Sequence, residues 1–183
     1  MARSLKLGAQ AAAVVLVAAL LALLVWKMVH QQGGGAAAAL ARGEKPAAPS
    51  FTLPRLDRPG RLSLVSLRGK VVVLAFWGSW CYACREETRH LEAVWQRYRQ
   101  RGVVVLGVDF WDLRGDARRF LRRFGGTFPN VYDGPGSLID PYAVTGAPET
   151  WFVDRTGRLV GEQLVGVATE EELARNIEAA LRS

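Results

Sequence analysis

Histidine and cysteine are both scarce in this chain, which has two of each among its 183 residues. A tetrahedral structural zinc site takes four such ligands, usually from two pairs. His30 follows a long apolar segment near the N-terminus, out of reach of the others, and His90 falls on the exposed side of a predicted helix. Cys81 and Cys84 therefore lack partners for a zinc site, and neither a metal nor an organic cofactor is expected.

The C-terminal part of the chain also lacks a concentrated excess of basic charge. The formal net charge is +7, of which residues 1–48 carry +4, and this leaves +3 for the remainder. Nucleic-acid-binding domains usually present a denser basic face. The charge distribution therefore gives little support to nucleic-acid binding.

Charge is absent altogether from residues 7–26, LGAQAAAVVLVAALLALLVW. As a helix this segment is about 30 Å long, which matches the hydrocarbon core of a bilayer. Arg3 and Lys6 precede it, which predicts that the N-terminus is cytoplasmic and the rest extracytoplasmic. A cleaved signal peptide is the alternative, but the small-residue motif at 39–41 lies far beyond the apolar segment. An uncleaved anchor is therefore favoured.

The segment after the anchor is rich in Gly, Ala and Pro and has no apolar periodicity beyond an alanine run, which predicts a tether. The predicted organisation is a cytoplasmic N-terminus (1–6), a transmembrane signal-anchor helix (7–29), a tether (30–48) and a folded domain (49–183).

The folded domain has the pattern of an α/β protein. Residues 51–53 and 62–64 flank a turn-rich stretch and are predicted to pair as a hairpin. Residues 71–77 and 103–108 are continuous apolar runs typical of strands buried on both faces. Amphipathic helices follow each run, and a second hairpin and a closing helix end the chain. The predicted fold is one central mixed β-sheet flanked by helices.

The second amphipathic helix carries a row of arginines away from its apolar stripe. These are Arg114, Arg118, Arg119, Arg122 and Arg123. They either dock an acidic partner or form a solvated helix face, and charge runs of this kind usually do the latter.

Both cysteines lie in WGSWCYACREE (77–87), between a predicted strand and a predicted helix. A permanent disulfide would close a very small loop, from which little entropic stabilisation comes. A helix N-terminus, with its unpaired N–H groups and positive dipole end, stabilises a thiolate on Cys81. Cys84 falls one turn later on the apolar stripe, where it is expected to be buried. The spacing therefore favours a reversible couple in which Cys81 attacks and Cys84 resolves the mixed disulfide.

These residues resemble the active-site segment of the thioredoxin superfamily. VTGAPET (144–150) resembles the loop-proline segment of its membrane-anchored branch, the DsbE/CcmG and ResA/TlpA-like thiol–disulfide oxidoreductases of cytochrome c biogenesis. The stretches APSFTL (48–53) and LRGK (67–70) also match that branch. The resemblance covers residues 48–183 and implies a thioredoxin-like fold.

The resemblance also implies a substrate-binding surface around the cysteines. Pro148 is expected to be cis and to lie against the pair, unless it merely ends a loop. Ala147 would then offer its backbone to an extended substrate peptide as an added strand. Trp80 and Tyr82, which adjoin Cys81, are expected to contact the substrate, although a tryptophan in this position also packs.

Two positions depart from the pattern of the superfamily. Thioredoxin keeps a buried carboxylate six residues before its first active-site cysteine, where this chain has Ala75. The proton acceptor for Cys84 is therefore expected to be Glu149 first and Glu87 second. Either could instead be a solvated surface acid, and this alternative is favoured for Glu87. The dipeptide Tyr82-Ala83 lacks the proline common between these cysteines, so the sequence does not predict the redox potential.

The predicted function is that of an extracytoplasmic, membrane-anchored protein-disulfide reductase. By resemblance, its client is apocytochrome c or a maturation companion, and a transmembrane thiol-reducing electron carrier regenerates the dithiol. Three alternatives remain open: a reductant of another exported client such as a copper-delivery protein, an oxidase that forms disulfides, and a tethered docking module with a vestigial pair.

Overall fold

The computed structural model describes residues 14–26 and 36–183. The chain divides into two compact units, Met1–Gly35 and Ala36–Ser183. In the first unit, residues 14–26 form helix α1, whose side chains are exposed. The rest of the predicted anchor (7–29) and everything before it lie outside the described residues. Over the two described stretches, no helix combines the length and the apolar character needed to cross a bilayer.

The second unit begins with helix α2 (Ala36–Ala41), inside the segment predicted to be a tether. Ala39 is buried, and Leu40 packs against the hydrophobic core. Ala47 forms an isolated bridge with Arg158 further along the chain. These residues therefore belong to the folded unit. Composition alone missed this because an alanine run forms a helix and packs closely without an apolar period.

The first predicted hairpin is present, but it stands apart from the central sheet. Strands β1 (Thr52–Pro54) and β2 (Arg61–Ser63) pair antiparallel with Leu53 opposite Leu62. They form a separate two-stranded sheet rather than part of one mixed sheet, which corrects the prediction. A 3-10 turn over Leu64–Leu67 then leads into the core.

A five-stranded mixed sheet forms the centre of this unit, and its strands are β3 (Val71–Trp77), β4 (Val103–Phe110), β5 (Asn130–Asp133), β6 (Glu149–Val153) and β7 (Leu159–Val165). Their order in space is β5-β4-β3-β6-β7. β3, β4 and β5 run parallel, whereas β6 and β7 are antiparallel to their neighbours. The sequence does not predict β5, because four residues that begin with Asn and end with Asp carry little apolar signal.

The helices of the second unit are α3 (Cys84–Tyr98), α4 (Arg114–Phe124), α5 (Ile139–Tyr142) and α6 (Glu170–Arg182). α3 and α6 cover the sheet face that carries Val73 and Ala75. The opposite face carries Leu74 and Phe76 and is covered by the first hairpin and α5. α6 begins with the capping box that the Thr-x-x-Glu spacing predicts, whereas α5, which contains a proline, is not predicted.

The alternation along β3 and β6 decides which side chains meet α3. Successive residues of a strand point to opposite faces of the sheet. Ala75 pairs with Thr150, and Phe76 pairs with Glu149. Thr150 therefore faces α3 together with Ala75, while Glu149 faces the opposite layer together with Phe76.

Candidate active site

The two cysteines form a disulfide in the turn between β3 and α3. The S–S distance is 2.07 Å and the Cα atoms are 5.4 Å apart. Cys84 is the first residue of α3, and its backbone N–H donates to Sγ of Cys81 at 3.1 Å. The predicted placement of Cys81 at a helix N-terminus is therefore confirmed. The same N–H and the helix dipole favour negative charge on that sulfur once the bond is reduced.

Both cysteines are almost completely buried in the oxidised protein. Cys81 is 5% exposed and Cys84 is 1% exposed. The order agrees with the prediction that Cys84 is the inner residue, but the oxidised Cys81 is not the open site that was expected. It packs in a small apolar cluster with Leu56, Trp77, Ala117 and Phe120.

Two exposed aromatic side chains flank Cys81. Tyr82 is 79% exposed and Trp80 is 51% exposed. The indole Nε1 of Trp80 donates to the carbonyl of Phe110 at 3.3 Å, and the two rings meet edge to face. Trp80 therefore packs on one side and presents apolar surface to solvent on the other.

The loop before β6 adjoins the same cluster. The Ala147–Pro148 peptide bond is cis, as the resemblance implies. Ala147 packs against the cysteine cluster, and the Pro148 carbonyl accepts a hydrogen bond from the N–H of Gly166. Neither the N–H nor the carbonyl of Ala147 has a hydrogen-bond partner within the described residues. An extended peptide could therefore pair with Ala147 without displacing an existing bond.

Glu149 is fully buried and completely engaged in hydrogen bonds. Its Oε2 accepts from the N–H and Oγ1 of Thr145, both at 3.0 Å. Its Oε1 accepts from Nε1 of Trp151 at 3.2 Å and Nε2 of Gln163 at 2.5 Å. These bonds tie the loop before Pro148 to β6 and β7. Because Glu149 also faces away from α3, the structure gives it the role of a buried structural carboxylate.

Glu87 is not the solvated acid that was expected. It is 1% exposed and lies one turn after Cys84 on α3, on the side that faces the sheet. Its Oε1 accepts long hydrogen bonds from the N–H of Ala168 at 3.3 Å and Oγ1 of Thr150 at 3.4 Å. Burial raises the pKa of Glu87 to about 7, against the effect of these bonds. Its carboxyl group contacts Thr150, which pairs with Ala75 in the sheet. The helix α3 therefore places an acid close to Ala75, the position where thioredoxin has its buried carboxylate.

Two aspartates at the end of β4 belong to the same region and were not predicted. Asp112 accepts from the N–H and Oγ of Ser79 at 2.6 and 2.9 Å, which holds the turn before Trp80. Asp109, opposite Trp77 in the sheet, is fully buried, and within the described part of the chain neither of its oxygens has a partner at normal hydrogen-bond geometry. Burial, and then the charge of Asp112, raise the pKa of Asp109 to about 9. The only sequence signal was one acid near the end of a buried apolar run.

Metal-ligating side chains are not gathered at this site. Across residues 14–26 and 36–183, no group of three or more His, Cys, Asp or Glu side chains is placed to hold a metal ion.

Comparison with known proteins places the chain among thiol–disulfide oxidoreductases. The profile of the AhpC/TSA family matches residues 45–161. The chain is 34% identical over 133 residues to the thiol-disulfide oxidoreductase ResA of Geobacillus thermodenitrificans (strain NG80-2), covering 72% of this chain and 75% of that one. It is 32% identical over 124 residues to ResA of Bacillus subtilis (strain 168), covering 67% and 68%.

A solved structure overlaps nearly the whole second unit. The crystal structure of a thiol:disulfide interchange protein DsbE from Chlorobium tepidum superposes with a TM-score of 0.69 at 32% identity, covering 75% of this chain and 96% of that chain. This match confirms the thioredoxin-like α/β fold. It also agrees with the ResA/DsbE-like branch that the sequence resembles.

Proposed function

The chain belongs to the AhpC/TSA family, as a thiol–disulfide oxidoreductase of the ResA/DsbE type, and we propose that it reduces disulfides of exported proteins from an extracytoplasmic position at the membrane. One observation carries the proposal. The Cys81–Cys84 disulfide begins a helix whose next turn holds a buried acid, Glu87, with a pKa near neutrality. A dithiol reductant requires backbone N–H groups that stabilise the attacking thiolate and a base that accepts the proton of the second thiol.

The first step uses Cys81. In the reduced protein its thiolate, stabilised by the N–H of Cys84, attacks one sulfur of the client disulfide. A bond forms between Cys81 and that sulfur while the client S–S bond breaks, and the departing client sulfur takes up a proton. The client segment pairs with the free backbone of Ala147 and lies against Trp80 and Tyr82.

The second step uses Cys84. Its thiol gives its proton to the carboxylate of Glu87, and the resulting thiolate attacks Sγ of Cys81. The Cys81–Cys84 bond forms, the mixed disulfide breaks, and the client leaves with both sulfurs reduced. The protein loses two electrons and the client gains them. Because the pKa of Glu87 lies at about 7, a large fraction of it can accept a proton at neutral pH.

The family and the N-terminal sequence support a proposal for the client and the location. We infer that the client is apocytochrome c, whose haem-attachment cysteines must be free thiols, or a companion that handles it. The charge-free stretch 7–26 supports an uncleaved membrane anchor with the catalytic unit outside the cytoplasm. A transmembrane thiol-reducing electron carrier then returns the Cys81–Cys84 pair to the dithiol form.

Trapping the mixed disulfide tests this function. Full-length Cys84→Ala, expressed in cells that make cytochrome c, is expected to form an adduct with apocytochrome c or its companion. Non-reducing gels and mass spectrometry should locate the link at Cys81, and a thiol reductant should release it. Cys81→Ser combined with Cys84→Ala is the matched control and should form no adduct. Adducts confined to copper-delivery proteins would overturn the cytochrome c assignment, and absence of any adduct would overturn the reductase.

A further inference from the structure

Five arginines from two helices surround one side of the disulfide turn. We call them the basic rim, and they are Arg85 and Arg89 of α3 and Arg119, Arg122 and Arg123 of α4. Arg89, Arg119, Arg122 and Arg123 are exposed. The sequence shows only the α4 part of this group, because the fold is what brings the two helices together.

The basic rim lines two shallow clefts that border the cysteines. A cleft of about 570 Å³ is lined by Ser79, Arg85 and the three rim arginines of α4. A second cleft of about 530 Å³ is lined by Tyr82, Ala83, Arg85, Arg89 and Phe124, together with one acid, Glu86. Ser79, Tyr82 and Ala83 belong to the turn that carries the disulfide. A chain segment lying in either cleft would therefore be next to the reacting sulfurs.

Most of this positive charge has no partner within the protein. Among the described residues, Arg119 is the only member of the basic rim in an ion pair, with Asp116. The guanidinium of Arg85 lies over the rings of Tyr82 and Phe124, at 4.7 and 4.9 Å from their centroids. Its Nε is buried and has no hydrogen-bond partner in the described part of the chain. A carboxylate from another molecule could supply these missing partners.

A solvated helix face explains only part of the basic rim. Arg122 and Arg123 lie in the last turn of α4, where cations interact favourably with the helix dipole. Arg85 lies in the first turn of α3, where a cation is unfavourable for the same reason. Its position is therefore not explained by helix stability, and it is the arginine shared by both clefts.

A larger cleft on the other flank of α4 provides a contrast. It measures about 660 Å³ and is also basic: Arg55 and Arg58 pair with Asp57, whereas its other three arginines have no ion pair among the described residues, and these are Arg114, Arg118 and Arg122. None of the residues that line it belongs to the disulfide turn. Both sides of α4 are therefore basic, and what distinguishes the two clefts of the basic rim is that they adjoin the disulfide turn.

We propose that the basic rim docks an acidic segment of the protein whose disulfide reacts with Cys81. This inference rests on the proposed thiol–disulfide exchange and adds the charge of the partner. Because both clefts adjoin the disulfide turn, the acidic residues lie near the reacting cysteines of the partner. Opposite charges steer the encounter and raise the association rate, an effect that salt removes.

Peptide disulfides of matched length test the proposal. Reduced full-length protein in a neutral detergent is mixed with peptides that share one internal disulfide and differ only in flanking residues, which are Glu, Gln or Lys. At low salt the Glu peptide is expected to react about tenfold faster than the Gln peptide, and the Lys peptide more slowly than either. At about 0.5 M salt the three second-order rate constants should converge.

Charge reversal locates the effect. Arg119→Glu combined with Arg123→Glu should abolish the preference for the Glu peptide while leaving the Gln peptide unchanged. Arg97→Glu combined with Arg175→Glu makes the same change in net charge at another cleft, formed by α3 and α6, and should keep the preference. Equal rates for Glu and Gln peptides, or equal losses in both double variants, would overturn the docking surface. Failure to reduce any peptide would instead overturn the proposed function.

Discussion

Two buried glutamates lie on opposite faces of the sheet at β6, and they differ in how many hydrogen bonds their carboxyl groups accept. Glu149 receives four hydrogen bonds from Thr145, Trp151 and Gln163. Glu87 receives two long ones, both on Oε1, and burial raises its pKa to about 7. The two acids lie on different faces because successive residues of β6 point to opposite sides: Glu149 points away from α3, whereas Thr150 points toward α3 and contacts Glu87.

The comparison separates an acid that holds the structure from one that can move a proton. A carboxylate with four donors is stabilised where it is and ties a loop to two strands. A buried carboxyl group with too few donors has its pKa raised toward 7, so it can exchange a proton with a thiol at neutral pH. Full burial alone therefore does not distinguish the two acids, and the proposed role of Glu87 rests on its incomplete hydrogen bonding and its position on the helix that begins at Cys84.

The largest expected effect is on the rate at which the mixed disulfide is released, and it distinguishes Glu87 from Glu149. Glu87→Gln keeps the shape of the side chain but cannot accept a proton from Cys84. The release of the mixed disulfide should slow by about a hundredfold at neutral pH, while the first attack by Cys81 stays unchanged. Rapid acid quenching of the mixed disulfide measures both steps. An unchanged release rate would remove Glu87 from the reaction.

The matched change on the other face should affect stability instead. Glu149→Gln replaces an acceptor oxygen by an amide group and turns accepted bonds into donor clashes with Trp151 or Gln163. The free energy of unfolding should fall by about 1–3 kcal/mol, measured by urea denaturation. The release rate of the remaining folded protein should be normal. A slow release with normal stability would exchange the roles of the two glutamates.

The pH dependence of stability sharpens the comparison further. The pKa of Glu87 is about 7 in the folded protein, against 4.5 for a glutamate free in water. Between these values the folded state holds a proton that the unfolded state has released. Its contribution is full below pH 4.5 and is lost as the pH rises through 7, by an amount on the order of 3 kcal/mol. The difference between wild-type and Glu87→Gln unfolding curves over this range should show that loss, and a flat difference would contradict it.

Asp109 provides a third case, because neither of its oxygens has a partner at normal hydrogen-bond geometry among the described residues. Burial and the nearby charge of Asp112 raise its pKa to about 9, so ionisation of this side chain is costly in the folded state. Asp109→Asn should therefore raise the free energy of unfolding at pH 8 by about 1 kcal/mol. Thermal denaturation at pH 8 measures this. A variant less stable than the wild type would contradict the prediction, because it would show that the carboxyl group of Asp109 stabilises the folded state.

The sequence is sufficient for the parts of the molecule that local patterns determine. The apolar run before Cys81 predicts β3, the spacing of Cys81 and Cys84 predicts the redox pair, and the loop-proline resemblance predicts the cis bond at Pro148. Each depends on a few neighbouring residues, so no knowledge of the tertiary structure is needed.

The remaining features depend on contacts between distant segments. Glu87 is buried because α6 and the residue Ala168 before it cover that side of α3, which its polar neighbours Glu86 and Arg89 do not indicate. The ranking of Glu149 before Glu87 as proton acceptor rested on position in the chain alone, which does not show that strand alternation directs the Glu149 side chain away from α3. β5 is missed since a short strand is stabilised by pairing with β4 rather than by its own pattern.

Direct titration of the Glu87 carboxyl tests the central claim most directly. Carbon-13 NMR of side-chain carboxyl groups, with Glu87→Gln used for assignment, should show one resonance that titrates near pH 7 and disappears in the variant. A Glu87 resonance that titrates near pH 4.5 would contradict the account, because an acid of ordinary strength could not be the poised proton acceptor beside Cys84.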